Sequence, residues 1–75
     1  MEKQFIELLK EALEIEGREL QLTDMFRDYP EWSSLGYLSV ISMIDEEYDI
    51  TIEGCVFNQL KTVGELIEEI KKQKA

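Results

Sequence analysis

Residues 34–48 read Ser-Leu-Gly-Tyr-Leu-Ser-Val-Ile-Ser-Met-Ile-Asp-Glu-Glu-Tyr. Stepped at about 100° per residue, Tyr37, Val40, Ile41, Ile44 and Tyr48 share one face. Leu35, Ser39, Ser42 and Glu46 lie opposite, with Leu38 and Met43 on the flanks. The pattern predicts a helix from Ser34 to Glu47 or Tyr48 whose apolar face is core. Its solvent side mixes leucine with acids and holds no basic residue.

Upstream, Pro30 disfavours helix at Tyr29, so the helix starts after it. Ser33 and Ser34 then stand where an N-cap is needed. Residues 17–33 keep no sustained period and predict a long first loop. In it Leu20 and Leu22 are expected to anchor the chain to the core. Thr23 is expected to cap a short turn holding Asp24, Met25 and Phe26, and Trp32 to be largely buried. Before the loop, Phe5, Leu8, Leu9, Ala12 and Leu13 recur at helical spacing. They predict an amphipathic helix over 2–16 that stops at Gly17.

Downstream, residues 49–52 read as extended or turn-like, because Ile50 and Ile52 alternate but no second strand exists to pair with them. A short helix over 53–60 would hold Val56, Phe57 and Leu60. Thr62 followed by Glu65 makes a capping box for a last helix. Val63, Leu66, Ile67 and Ile70 form its buried stripe, and Lys71, Lys72 and Lys74 favour the dipole at its end. The predicted fold is all-α, a bundle of three main helices plus one short helix with a long first loop. It forms a single domain over 1–75, read as free-standing and monomeric.

A chain of 75 residues holds one modest core,, which leaves little room for a deep substrate cavity. Histidine is absent, which excludes Ser-His-Asp and Cys-His nucleophile arrangements and His-based zinc sites. Cys55 is the only cysteine, so no internal disulfide forms and a reducing, cytoplasmic setting fits. No apolar run approaches the roughly 20 residues that span a bilayer. The net charge is −9, and no Lys or Arg occurs between Arg27 and Lys61. That stretch holds Asp28, Glu31, Asp45, Glu46, Glu47, Asp49 and Glu53. Binding to a nucleic-acid backbone is disfavoured, and a basic protein partner is the natural complement.

Each candidate site has a structural reading beside a functional one. Ser33 and Ser34 are N-cap residues by default, yet a helix N-terminus also suits a phosphoryl group esterified to a serine. Asp45, Glu46, Glu47 and Asp49 read as a solvated helix end, although acids there oppose the dipole. A calcium loop starting at Asp45 fails, because its sixth position is Ile50 where Gly is required. Cys55 reads as a small buried hydrophobe.

The run Trp32-Ser33-Ser34-Leu35-Gly36 continues with Leu38, Val40-Ile41, Ile44-Asp45-Glu46-Glu47-Tyr48-Asp49 and Ile52. With Leu60-Lys61-Thr62-Val63 and Leu66-Ile67 added, this half of the chain resembles the acyl carrier protein family. The resemblance implies a carrier that does no chemistry of its own. In that family the serine of an Asp-Ser-Leu motif carries 4′-phosphopantetheine, attached from coenzyme A by a phosphopantetheinyl transferase. The arm's thiol holds acyl or aminoacyl groups as thioesters. The matching serine here is Ser34, followed by Leu35. Acids of the matching helix contact basic patches on loading and condensing enzymes of fatty-acid, polyketide or related biosynthesis. The docking face would comprise Leu35, Leu38, Ser39, Met43, Asp45, Glu46 and Glu47.

Two positions depart from the family. Its Asp before the serine is Ser33 here, and an acidic position just after the motif is Gly36. Both remove negative charge where the transferase would dock. They leave open a second reading, an acidic helical interaction module of the same fold without an arm.

Overall fold

In the computed structural model, which describes residues 2–74, Phe5, Leu9 and Leu13 form the buried face of α1 (Glu2–Leu13). The helix stops earlier than predicted, and Gly17 is not its terminator. Glu14 takes the left-handed conformation (φ 58°). Its N–H donates to the Glu11 carbonyl at 3.2 Å, and that of Ile15 to the Lys10 carbonyl at 2.8 Å. These two bonds make a Schellman cap.

The early stop follows from Ile15. It lies roughly 200° round the wheel from Leu13, so a continuing helix would aim it at solvent. After the reversal it is only 3% exposed. Burying an isoleucine is worth about 1.5–3 kcal/mol, which offsets the cost of about 1–2 kcal/mol of placing Glu14 at positive φ.

The long loop is held by side chains the sequence did not single out. Arg18 pairs with both Glu31 carboxylate oxygens at 2.7 Å and covers the Tyr29 ring at 5.1 Å. Asp24, not Thr23, organises the turn. Its Oδ2 accepts from the Gln21 N–H at 2.9 Å and from the Tyr29 hydroxyl at 2.8 Å. Phe26 is fully buried within a 3-10 turn, Phe26–Asp28. Leu20 is buried as expected, but Leu22 is 38% exposed. Leu22 acts through its backbone instead, its carbonyl accepting the Gly64 N–H at 2.8 Å.

That bond belongs to the start of α4 (Val63–Lys74). A helix start leaves its first N–H groups without intrahelical partners, and here the loop supplies them. Val63 donates to the Asp24 carbonyl at 3.0 Å, and Glu65 to Thr62 Oγ1 at 3.2 Å. The predicted capping box forms in altered shape, because Glu65 Oε1 accepts from the Lys61 N–H rather than that of Thr62.

α2 spans Ser34–Tyr48 and α3 is one turn, Gly54–Phe57. The predicted helix over 53–60 shortens because the chain passes from Asn58 to Leu60 in tight turns, Gln59 and Leu60 donating to the Val56 and Phe57 carbonyls. Ile50 and Ile52 lie outside any helix or strand and are buried before it. Among the described residues there is no strand, only an isolated bridge between Met25 and Thr62.

α1 packs along α2. The core joins them to α4 through Phe5, Leu9, Val40, Ile44, Leu66 and Ile70, all at most 1% exposed. The architecture is the predicted all-α bundle. Tyr48 closes one end of this core beside Phe5, with its hydroxyl buried and unpartnered. Burial, and then the neighbouring Glu47, hold that hydroxyl's pKa above its ordinary value.

Candidate functional site

The start of α2 separates the two adjacent serines. Ser33 is the N-cap, extended at φ −159° and ψ 179°, and its Oγ accepts the Gly36 N–H at 3.1 Å. Its carbonyl takes the Tyr37 N–H at 2.9 Å. Ser34 is the first helical residue, exposed, with its hydroxyl outside the capping bond. The N–H groups of Ser34 and Leu35 precede the helix ladder and leave positive partial charge beside that hydroxyl.

Gly36 is buried against the end of α1. A Cβ there would lie 2.9 Å from Leu13 Cδ2. Close helix approach therefore occupies the space a side chain at this position would need.

Next to the serines lies a cavity of about 430 Å³ lined by Arg27, Trp32, Ser33, Ser34, Tyr37, Phe57 and Asn58. Its floor is aromatic. The Trp32 and Phe57 rings stack within 8° of parallel at 6.1 Å, and Tyr37 meets Phe57 edge-on at 5.0 Å. Trp32 packs against the core, with Phe26 on it at 5.1 Å, as expected for a largely buried ring, and its remaining exposed part lines this cavity. Arg27 reaches in from the long loop. It covers the Phe26 and Phe57 rings at 4.8 and 5.2 Å. It also donates to the Phe57 carbonyl at 2.8 Å and to that of Leu60. The guanidinium thus straps the loop to the end of α3 and stays at the cavity wall.

A second concavity, about 490 Å³, runs between α1 and α2. It gathers Leu35, Leu38, Ser39, Met43, Glu46 and Glu47 from the predicted docking set and adds Leu8, Glu11 and Ala12 from α1. Leu35 and Leu38 are 76% and 56% exposed. Asp45 stands apart, exposed, and accepts a long bond from the Thr51 hydroxyl at 3.4 Å.

Cys55 is exposed, which corrects the buried reading. α3 is a single turn that packs Phe57 and part of Val56 against the core, while Gly54 and Cys55 face outward. Sequence reasoning missed Arg27 and the α1 wall. The signal for Arg27 was its place as the last cation before the run without any. The signal for Leu8 and Ala12 was their position at the edge of the α1 stripe. Among the described residues, no three His, Cys, Asp or Glu side chains converge to hold a metal ion, and no helix is long and apolar enough to cross a membrane.

A family model described as the phosphopantetheine attachment site matches residues 3–70. No curated protein and no solved structure matches the chain.

Proposed function

This chain belongs to the phosphopantetheine-attachment family, whose domain receives 4′-phosphopantetheine covalently, and from that premise we propose that Ser34 is the attachment residue of a carrier protein. The carrier role comes with the family. The residue is our assignment, and the observation that carries it is the division of labour at the α2 start. Ser33 Oγ is committed to the Gly36 N–H, while the Ser34 hydroxyl is exposed and free of the cap. A phosphoryl group esterified there meets the positive end of the helix dipole. The adjoining cavity adds one cation, Arg27. Both features fit a phosphodiester-linked arm.

When bound, the arm supplies a terminal thiol that holds an acyl or aminoacyl group as a thioester. The protein's own residues present the arm and dock partners, and the carried group reacts on other enzymes of fatty-acid, polyketide or related biosynthesis. We assign docking to Leu35, Leu38, Ser39 and Met43 with Asp45, Glu46 and Glu47. Exposed leucines beside carboxylates suit a partner with an apolar knob ringed by basic residues. The protein acts as one cytoplasmic, monomeric domain in this reading.

The test is intact mass after incubation with coenzyme A, magnesium and a broad-specificity phosphopantetheinyl transferase. One phosphopantetheine is expected on the wild type and on Ser33→Ala, and none on Ser34→Ala. The loss of acids at Ser33 and Gly36 favours a second reading, an interaction module without an arm. Failure of several transferases to modify folded protein would favour that alternative.

A further inference from the structure

We propose that the arm attached at Ser34 does not swing free but rests its first half on the partly exposed Trp32 and Tyr37 rings, which the buried Phe57 backs, with its phosphodiester facing Arg27. The inference rests on the assignment of Ser34 and goes beyond it, to where the arm lies.

The chemistry of the cavity matches that of the arm segment nearest the serine. Phosphopantetheine begins with a phosphodiester anion, followed by a quaternary carbon bearing two methyl groups, and only then by its amides. The cavity beside Ser34 presents one cation and two partly exposed aromatic rings, Trp32 and Tyr37, backed by the buried Phe57. Aromatic faces take up methyl groups by burial of apolar area. Arg27 is the single basic residue lining this cavity and no acidic residue lines it, which leaves Arg27 the natural partner for an anion. Two of the guanidinium's five donors are occupied by the Phe57 and Leu60 carbonyls,, so donors remain.

The site is also preorganised. Trp32, Phe57 and Phe26 brace one another at centroid distances of 5.1–6.1 Å. Arg27 is fixed by two carbonyls and two ring faces. Little side-chain freedom is lost when a ligand settles there.

The experiment uses the full chain before and after modification, with intact mass as the control for loading. In loaded wild type, the two arm methyl resonances are expected upfield of those of free phosphopantetheine, with cross-relaxation to Trp32 and Tyr37 ring protons. The emission of Trp32, the only tryptophan, is expected to change on loading. Loaded protein whose methyl signals sit at the free positions, without cross-relaxation to the rings, overturns docking and leaves the carrier assignment intact. Absence of any mass gain at Ser34 overturns that assignment and this proposal with it. For the charge pairing, the methyl shift is expected to shrink in Arg27→Gln. It should shrink likewise in wild type at about 1 M salt, where the screening length is about 3 Å. The salt arm decides if the variant does not fold. An unchanged shift overturns the role of Arg27.

Discussion

Leu13, at the end of α1, sits so close to Gly36, in the first turn of α2, that a Cβ on the glycine would meet Leu13 Cδ2 at 2.9 Å. This contact explains one departure from the carrier motif. A carboxylate at position 36 would have to displace a core leucine that is 4% exposed. Gly36→Ala gains about 1 kcal/mol of helix propensity but forces repacking that costs about 1–3 kcal/mol. A net loss of about 1 kcal/mol is expected in urea denaturation. The loss should vanish in a Leu13→Val background, where the clashing methyl has gone. A loss of equal size in both backgrounds would mean that the contact is not its cause.

The two serines should separate by assay. Ser33→Ala removes the cap and is expected to lower stability by about 1 kcal/mol, while still accepting the arm. Ser34→Ala should stay within about 0.5 kcal/mol of wild type and accept nothing. Ser33→Asp retains the cap and restores a charge that favours both the dipole and a basic transferase. Its modification should be several-fold faster than that of wild type in initial-rate measurements, more so at low salt. A slower rate would show that the transferase does not read this charge.

Glu14→Gly should stabilise the protein. The substitution relieves a left-handed glutamate and removes an acid from a helix C-terminus, against the extra freedom glycine brings to the unfolded chain. The expected net gain is about 0.5–1 kcal/mol in unfolding free energy from urea denaturation. Gly17, at φ 78° with open space around it, is the converse case, and Gly17→Ala should cost about 1 kcal/mol.

The loop network makes part of the stability depend on pH. The Asp24 carboxyl is held below its ordinary value of 3.8, first by the Gln21 N–H and then by the Tyr29 hydroxyl. Glu31 is held below 4.5 by its hydrogen bonds from Arg18. A depressed carboxyl adds stability above its unfolded pKa and loses it as the pH falls through the folded one. The stability difference between wild type and Asp24→Asn should therefore be constant from neutral pH to about 5 and shrink below 3.8,. A difference that stays constant down to pH 2 would refute the assignment.

Leu38 offers a test of docking that spares the fold. Because its side chain is more than half exposed, Leu38→Ala should alter stability by less than about 0.5 kcal/mol. It should raise the KM for this protein as transferase substrate. Glu46→Lys should do the same and reverse the salt dependence of the rate. Unchanged KM in both would place the docking face elsewhere.

The periodicity of residues 34–48, with the stripes before and after it, was enough for the all-α bundle, because amphipathic helices of this length can bury their apolar faces only against one another. The pairing of a hydroxyl with a following leucine was also legible, as a resemblance. What the sequence could not reveal lies where local rules compete with distant partners. Ile15 ended α1 by turning into a core formed by residues far along the chain. Leu22 and Asp24 capped α4 with backbone carbonyls that carry no sequence signal. The division between Ser33 and Ser34 depended on which residue entered the helix first, a choice between two equally good caps that local rules leave open. Arg27 reached Ser34's cavity only because the long loop folded back over α3. Periodicity is a property of neighbours in the chain. The site is a property of neighbours in space, and closing the loop brought them together.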